Sequence, residues 1–287
     1  MTSKAFAAAL VLCGLSAAAC GTSAANGTPA GPARNGEPTS QTTTQTAQAA
    51  HAAPATAPAP SAGGSVPAGP LSGKIVVVDP GHNGLNYKYP SKINKKVNIL
   101  TQWKACDTTG TATDNGYSEA AFTWDVSQRL AKILRDRGAT VKLTRTSNSG
   151  VGPCITERAA IGNKAKADAV ISVHADGAPP SGHGFHVIIP KKINGPVDPV
   201  VGASTELGID VRDSIRSVAG MPYSTYVGTK ALSFRNDLGG LNLSTVPKIF
   251  VECGNMRNPG DAAKFQSAAF RQKMALALAD GTQTYLK

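Results

Sequence analysis

The chain lacks aromatic residues over a long stretch: none occurs between Phe6 and Tyr87. Large aliphatic residues are nearly missing there too, with Val66 alone between Gly21 and Pro70. Of those 50 residues, 41 are Ala, Pro, Thr, Gly or Ser. Such a stretch cannot bury enough apolar surface to offset the entropy of ordering it. Residues 21–73 therefore read as a disordered tether. His51 lies within it and has no evident role. No segment holds the roughly 18 uninterrupted apolar residues of a permanent membrane helix. Acidic residues are also scarce, 18 against 29 Lys and Arg, giving a net charge of +11. Residues 1–73 contain only Lys4, Arg34 and Glu37 as charges, so +10 falls on residues 74–287. A basic domain is drawn to polyanions, or simply has a solvated basic surface. No nucleic-acid motif and no interleaving of aromatic and basic residues is present, so nucleic acid is not an expected partner.

Residues 1–20 read as an export signal. Lys4 is its charged start, residues 5–15 a short apolar core, and Ala17-Ala18-Ala19 a small-residue end. Two cleavage readings fit. One is an ordinary signal peptidase site. The other is a lipobox ending at Cys20, which would carry a lipid and anchor the tether to the membrane. Either reading takes the protein out of the cytoplasm, into the cell envelope. Cysteine usage agrees: in an oxidising compartment two loop cysteines pair. Cys106 and Cys154 both lie in loop-like sequence, while Cys253 follows an apolar run and reads as a buried thiol. A Cys106–Cys154 bridge would close about 49 residues, worth about 4 kcal/mol in the loop-entropy description. The alternative is three free thiols.

Residues 74–287 alternate between strand and helix patterns. Strands are expected at 74–78, 140–144, 169–173, 184–189 and 246–251. Helices are expected from Ser118 to about Gly138, at 156–166, at 199–218 and at 261–279. Phe122, Val126, Leu130, Ile133 and Leu134 form the apolar stripe of the first helix. Residues 83–118 and 233–246 read as polar or Gly-rich loops. The pattern implies one α/β domain in three layers, a mostly parallel twisted sheet of five or six strands flanked by helices.

Ligands of such sheets gather past the carboxyl ends of the strands. Three strands end there on chemically capable residues: His82, His174 and Glu252. Glu119 opens a helix on the same rim. Two imidazoles and a carboxylate suit Zn²⁺ and leave a position for water, and a further carboxylate can take that water's proton. Taken singly, each residue has a blander reading as a loop histidine or a helix-capping acid.

V-V-V-D-P-G-H-N-G at 76–84, S-V-H-A-D at 172–176 and V-P-K-I-F-V-E-C-G-N-M-R-N-P-G-D at 246–261 together resemble the zinc-dependent N-acetylmuramoyl-L-alanine amidases of bacterial cell-wall turnover. The resemblance spans residue 74 to the end of the chain. It implies one zinc ion held by His82, Glu119 and His174, with Glu252 as the catalytic carboxylate. It also implies peptidoglycan or its muropeptides as substrate, cut between N-acetylmuramic acid and L-alanine. Asn83, Arg235 and Arg257 are candidate substrate contacts, the two arginines as helpers of the oxyanion. The chain departs from the family pattern at Asn83, at Cys253, and at His183 and His186. The 36 residues between His82 and Glu119 carry Lys88, Lys92, Lys95, Lys96 and Lys104 and form a candidate lid facing an acidic polymer. A monomer is expected. The competing expectations are another exported zinc peptidase cutting stem peptides, and a non-catalytic wall-binding lipoprotein of the same fold.

Overall fold

The computed structural model describes residues 69–287. The export signal, Cys20, His51 and nearly all of the tether lie outside the described residues. The fold begins earlier than residue 74. Leu71 is fully buried, and its N–H donates to the Arg137 carbonyl at 2.9 Å. Residues 69–73 thus belong to the fold rather than the tether, because one leucine in a polar stretch suffices to anchor it.

Among the described residues, eight strands and seven α-helices follow in chain order. They are β1 (Ile75–Pro80), α1 (Pro90–Ile93), β2 (Lys96–Asn98), β3 (Trp103–Ala105), α2 (Glu119–Asp136) and β4 (Thr140–Leu143). Then come α3 (Ile155–Ala165), β5 (Ala169–Asp176), β6 (His186–Pro190), α4 (Val201–Ser214) and β7 (Leu232–Arg235). The chain ends with α5 (Gly239–Asn242), β8 (Lys248–Asn255), α6 (Pro259–Gln266) and α7 (Ala268–Leu286). Six strands form one sheet in the order β4-β1-β5-β8-β6-β7, and β2 and β3 form a separate hairpin. Every pairing in the large sheet is parallel except β6 with β8. The expected architecture is the observed one.

The strands are buried on both faces, and their period of two divides two environments. In β5, Ala169, Ile171, Val173 and Ala175 point into the main core, with Val76 and Val78 of β1 and Ile249, Val251 and Cys253 of β8. Helices α2, α4 and α7 cover that face. On the other face Val77, Val170 and Ala167 form a smaller cluster beneath α3. Further along that second face polar residues replace most of the apolar ones, with Phe250 left among them. Asp79, Ser172, His174, Lys248, Phe250 and Glu252 line a cleft of about 560 Å³.

Three expectations need correction. The Gly-rich stretch at 233–246 contains edge strand β7 and the short helix α5. β7 was hidden because an edge strand is short and only half buried. The last helix is two helices, α6 and α7, broken at Ser267, whose hydroxyl caps Phe270 N–H. A new N-cap inside an apolar periodic run ends one helix and starts the next. The 83–118 segment is ordered around the β2–β3 hairpin rather than structureless.

Candidate metal centre and its cleft

His82 lies just past the end of β1, whereas His174 and Glu252 lie in the carboxyl-terminal halves of β5 and β8, which run further than the sequence pattern implied. At the end of β1 the chain turns through Gly81 and His82, and His82 takes a left-handed backbone, φ 56°. That conformation is costly for a residue with a side chain. Arg158 stabilises it by donating from Nη2 to the His82 carbonyl at 2.8 Å. Gly81 is glycine for a spatial reason: a Cβ there would overlap the His174 ring. Helix α2 begins at Glu119 because the Ser118 hydroxyl accepts from Ala121 N–H. The capped first turn holds Glu119 between the two imidazoles.

Glu119 Oε2 lies 3.1 Å from His82 Nε2, and its Oε1 lies 3.0 Å from His174 Nδ1. Backbone N–H groups of Thr111 and Ala175 donate to the same carboxylate at 2.9 and 3.1 Å. The other nitrogen of His82, Nδ1, faces Asp107 Oδ1 at 3.2 Å and the Thr108 carbonyl at 3.1 Å. The His174 ring stacks on Phe250 with centroids 3.8 Å apart. Ligand-capable atoms of His82, Glu119 and His174 all lie within 4.8 Å of one another.

Glu252 joins this group through sheet register. It pairs with His174 across β5–β8 and with His186 across β6–β8. Paired residues share a face, so His174, Glu252 and His186 stand side by side. Glu252 lines the cleft, and its Oε2 is buried without a hydrogen-bond partner.

The electrostatics follow from crowding. Burial opposes charge on His82, but Glu119 and Asp107 outweigh it and raise its pKa from 6.5 to about 10. Burial resists ionisation of Glu119, yet the adjacent imidazoles hold its carboxyl well below the ordinary range. Glu252 is pushed well above the ordinary range by burial, then by the charges of Glu119 and Asp176. Two nitrogens and one carboxylate, converging and prealigned, fit a Zn²⁺ ion. The unpartnered Glu252 oxygen beside them fits a proton acceptor, and a cation's charge would favour its ionised form.

Residues 76–284 match the family model described as N-acetylmuramoyl-L-alanine amidase. The chain belongs to that family. It is 39% identical over 218 residues to N-acetylmuramoyl-L-alanine amidase Rv3717 of Mycobacterium tuberculosis, covering 75% of this chain and 88% of that relative. It is also similar to the crystal structure of the apo form of amidase Ami1 from Mycobacterium abscessus. That likeness has a TM-score of 0.71 and 44% identity, and covers 76% of this chain and 100% of the other. Ami1 from Mycobacterium smegmatis gives the same TM-score, 0.71, at 40% identity, covering 75% and 98% of the two chains. The protein is accordingly a cell-wall N-acetylmuramoyl-L-alanine amidase, an amide hydrolase.

The amidase fold brings His82, Glu119, His174 and Glu252 to one cleft. Asn83, Arg235 and Arg257 do not line that cleft. Asn83 is buried, and its amide is spent internally: Nδ2 donates to Asn86 and Asp107, and Oδ1 accepts from Arg158. Its side chain braces the loop after β1 instead of meeting a ligand. Arg235 ends β7 and is held by Asp237 at 2.7 Å, with its charge acting on Glu252. Arg257 pairs with Asp114 at 3.4 Å and borders a separate small depression with Met256 and Pro259. His186 is buried beside Glu252, and burial lowers its pKa to about 4, so it is neutral. His183 is half-buried, away from the cleft lining. Cys106 and Cys154 form a disulfide, and Cys253 is a buried free thiol.

Sequence reading passed over the ion cluster beneath the site. Asp79 is buried between Arg158 Nη1 at 2.8 Å and Lys248 Nζ at 3.0 Å. Thr144 and Ser172 hydroxyls donate to the same carboxylate at 2.6 and 2.9 Å. The available signal was the alternation: Asp79, Ser172 and Lys248 are polar residues at even steps within otherwise apolar strands.

Proposed function

We propose that this amidase hydrolyses the amide between the lactyl group of N-acetylmuramic acid and L-alanine, using one zinc ion held by His82, Glu119 and His174. The observation that carries this reading is Glu252. A buried carboxylate with an unpartnered oxygen, in register with a histidine of a two-His, one-Glu cluster, has no structural purpose of its own. When bound, zinc supplies a Lewis acid that polarises the amide carbonyl and acidifies a water. Glu252 takes the proton of the attacking water and returns it to the departing L-alanine amine. The backbone N–H groups of Thr111 and Ala175, with Asp107, keep the Glu119 carboxylate and the His82 ring fixed throughout. Arg235, whose charge reaches Glu252, favours the ionised base.

The protein is proposed to act in cell-wall turnover or cell separation, outside the cytoplasm. The Cys106–Cys154 disulfide supports an oxidising compartment. No helix among the described residues is long and apolar enough to cross a membrane. A signal peptide at 1–20 and a lipid on Cys20 would give the tether its anchor.

The test is Glu252→Gln with zinc content measured in parallel. We expect zinc to stay stoichiometric while muropeptide cleavage falls at least about 10³-fold, as for loss of a general base with its nucleophile unactivated. Mass spectrometry of digested peptidoglycan should show whole stem peptides with free L-alanine amines. Fragments that leave L-alanine on muramic acid would point to a peptidase instead, and full activity of the variant would remove Glu252 from the reaction.

A further inference from the structure

We propose that Trp103 is a saccharide platform in the cleft, its indole face stacking on the muramic acid ring of the substrate. This rests on the amide cleavage proposed above. Trp103 is 65% exposed, the most exposed large hydrophobic residue among those described. It lines the same cleft as His82, Glu119, His174 and Glu252. A large aromatic left in water beside a reaction site is poorly explained by folding and well explained by a ligand.

The hairpin that carries it is a wall. Asn242 Nδ2 donates to the Ile99 carbonyl at the hairpin turn at 2.9 Å. Thr101 donates to the Asn236 carbonyl at 2.8 Å, and Lys104 Nζ to the Asp237 carbonyl at 2.8 Å. Cys106, directly after β3, is bonded to Cys154. A side chain on so fixed an element loses little entropy when a ligand arrives. Trp103 pairs with Asn98 and Ala105 with Lys96, so these four share one face of the hairpin. Lys96 and Gln102 also line the cleft.

The substrate's chemistry selects which half meets this wall. One side of the scissile amide is a pyranose ring. The other is a peptide that begins with alanine. Only the sugar presents a broad C–H face, the surface an indole stacks on. Its hydroxyl and N-acetyl oxygens are acceptors of the kind that Lys96 and Gln102 can donate to.

The experiment compares two substrates on the zinc-loaded full chain. One is muramyl dipeptide. The other is (R)-lactoyl-L-alanyl-D-isoglutamine, which keeps the scissile amide and lacks the sugar. The readout is the ratio of kcat/KM between them. We expect Trp103→Ala to lower that ratio about tenfold, with the loss mainly in KM, and Trp103→Phe to recover most of it. In a Glu252→Gln background, calorimetry should show muramyl dipeptide binding weakened about tenfold by Trp103→Ala. An unchanged ratio, or equal losses on both substrates, would overturn the proposal. A ratio unchanged while cleavage of polymeric wall falls would assign Trp103 to a different partner. A wild-type protein that cleaves neither compound and leaves L-alanine on muramic acid in digested peptidoglycan would overturn the reaction itself. Sugar-dependent binding in the Glu252→Gln background would then still register the platform separately.

Discussion

The four side chains to which the proposed chemistry is assigned stand in unlike surroundings. His82, Glu119 and His174 satisfy one another, whereas Glu252 has an oxygen with no partner. That contrast supports the proposed division into ligands and base, which the family resemblance implied and which residue type alone could not: two glutamates at a sheet rim look alike until their neighbours are known. Asp107 was equally hidden, since it lies in a polar loop 25 residues beyond the histidine it faces. Its carboxylate orients His82 through Nδ1 and leaves Nε2 turned toward Glu119. Partners of this kind raise ligand basicity and hold the ring, and their loss costs about 10–100-fold in metal affinity. Asp107→Ala should therefore weaken zinc binding by that factor in a chelator competition, with the far-ultraviolet spectrum unchanged. Zinc affinity equal to wild type would mean that the ring is held by Thr108 alone. Treatment of the wild-type protein with EDTA should abolish cleavage, and stoichiometric zinc should restore it.

At the scale of the element, the strands carried most of what could be read. β1, β5 and β8 are apolar enough to be recognised, and each carries a candidate functional residue at or near its carboxyl end. What the strand pattern also held, and a simple apolar count misses, is the second period. Val170, Ser172 and His174 alternate with residues of the main core, as do Lys248, Phe250 and Glu252. Polar residues at every second step of a doubly buried strand mark a face that turns from packing to chemistry. Short edge strand β7 was not legible because it depends on its tertiary neighbour β6, and the break between α6 and α7 was masked by the apolar period that runs across the Ser267 cap. The Asp79 cluster gives this scale its prediction. Burial opposes ionisation of Asp79, but Lys248, Arg158 and Thr144 overcome it and hold the carboxyl well below its ordinary range. The folded-state pKa is thus lower than the unfolded value of about 3.9. The stabilisation is complete above that value and is lost as the pH falls through the folded pKa. Asp79→Asn leaves buried Lys248 without its acidic partner and Arg158 with only Asp107, at a cost of about 3–5 kcal/mol near neutral pH. Denaturant midpoints should show that the gap between wild type and variant narrows below about pH 4. A gap independent of pH would mean that Asp79 acts by hydrogen bonding and not by charge.

The whole molecule raises the question of what keeps a long polar segment ordered beside the cleft. Residues 83–118 have little apolar surface, which is why they read as a loop. Their order comes from contacts distant in sequence, chiefly the hairpin's bonds to residues 236–242 and the disulfide to Cys154. That disulfide does two things. It closes a loop of 48 positions, which in the chain-entropy description stabilises the fold by about 4 kcal/mol. It also ties the end of β3 to the start of α3, where Cys154 is the N-cap residue and its own N–H donates to Glu157 at 2.8 Å. Replacing both cysteines by serine should lower Tm by about 8–16 °C for a domain of this size. Wild type melted in dithiothreitol should fall to the same Tm. The loss should also reach the cleft, because the wall carrying Trp103 would lose its one covalent tie and keep only its hydrogen bonds to residues 236–242. Below its lowered Tm, the double variant is expected to bind muramyl dipeptide more weakly while its zinc affinity holds, since no metal ligand lies on the hairpin. Equal loss of zinc and sugar affinity would instead make the disulfide a general stabiliser with no particular hold on the wall.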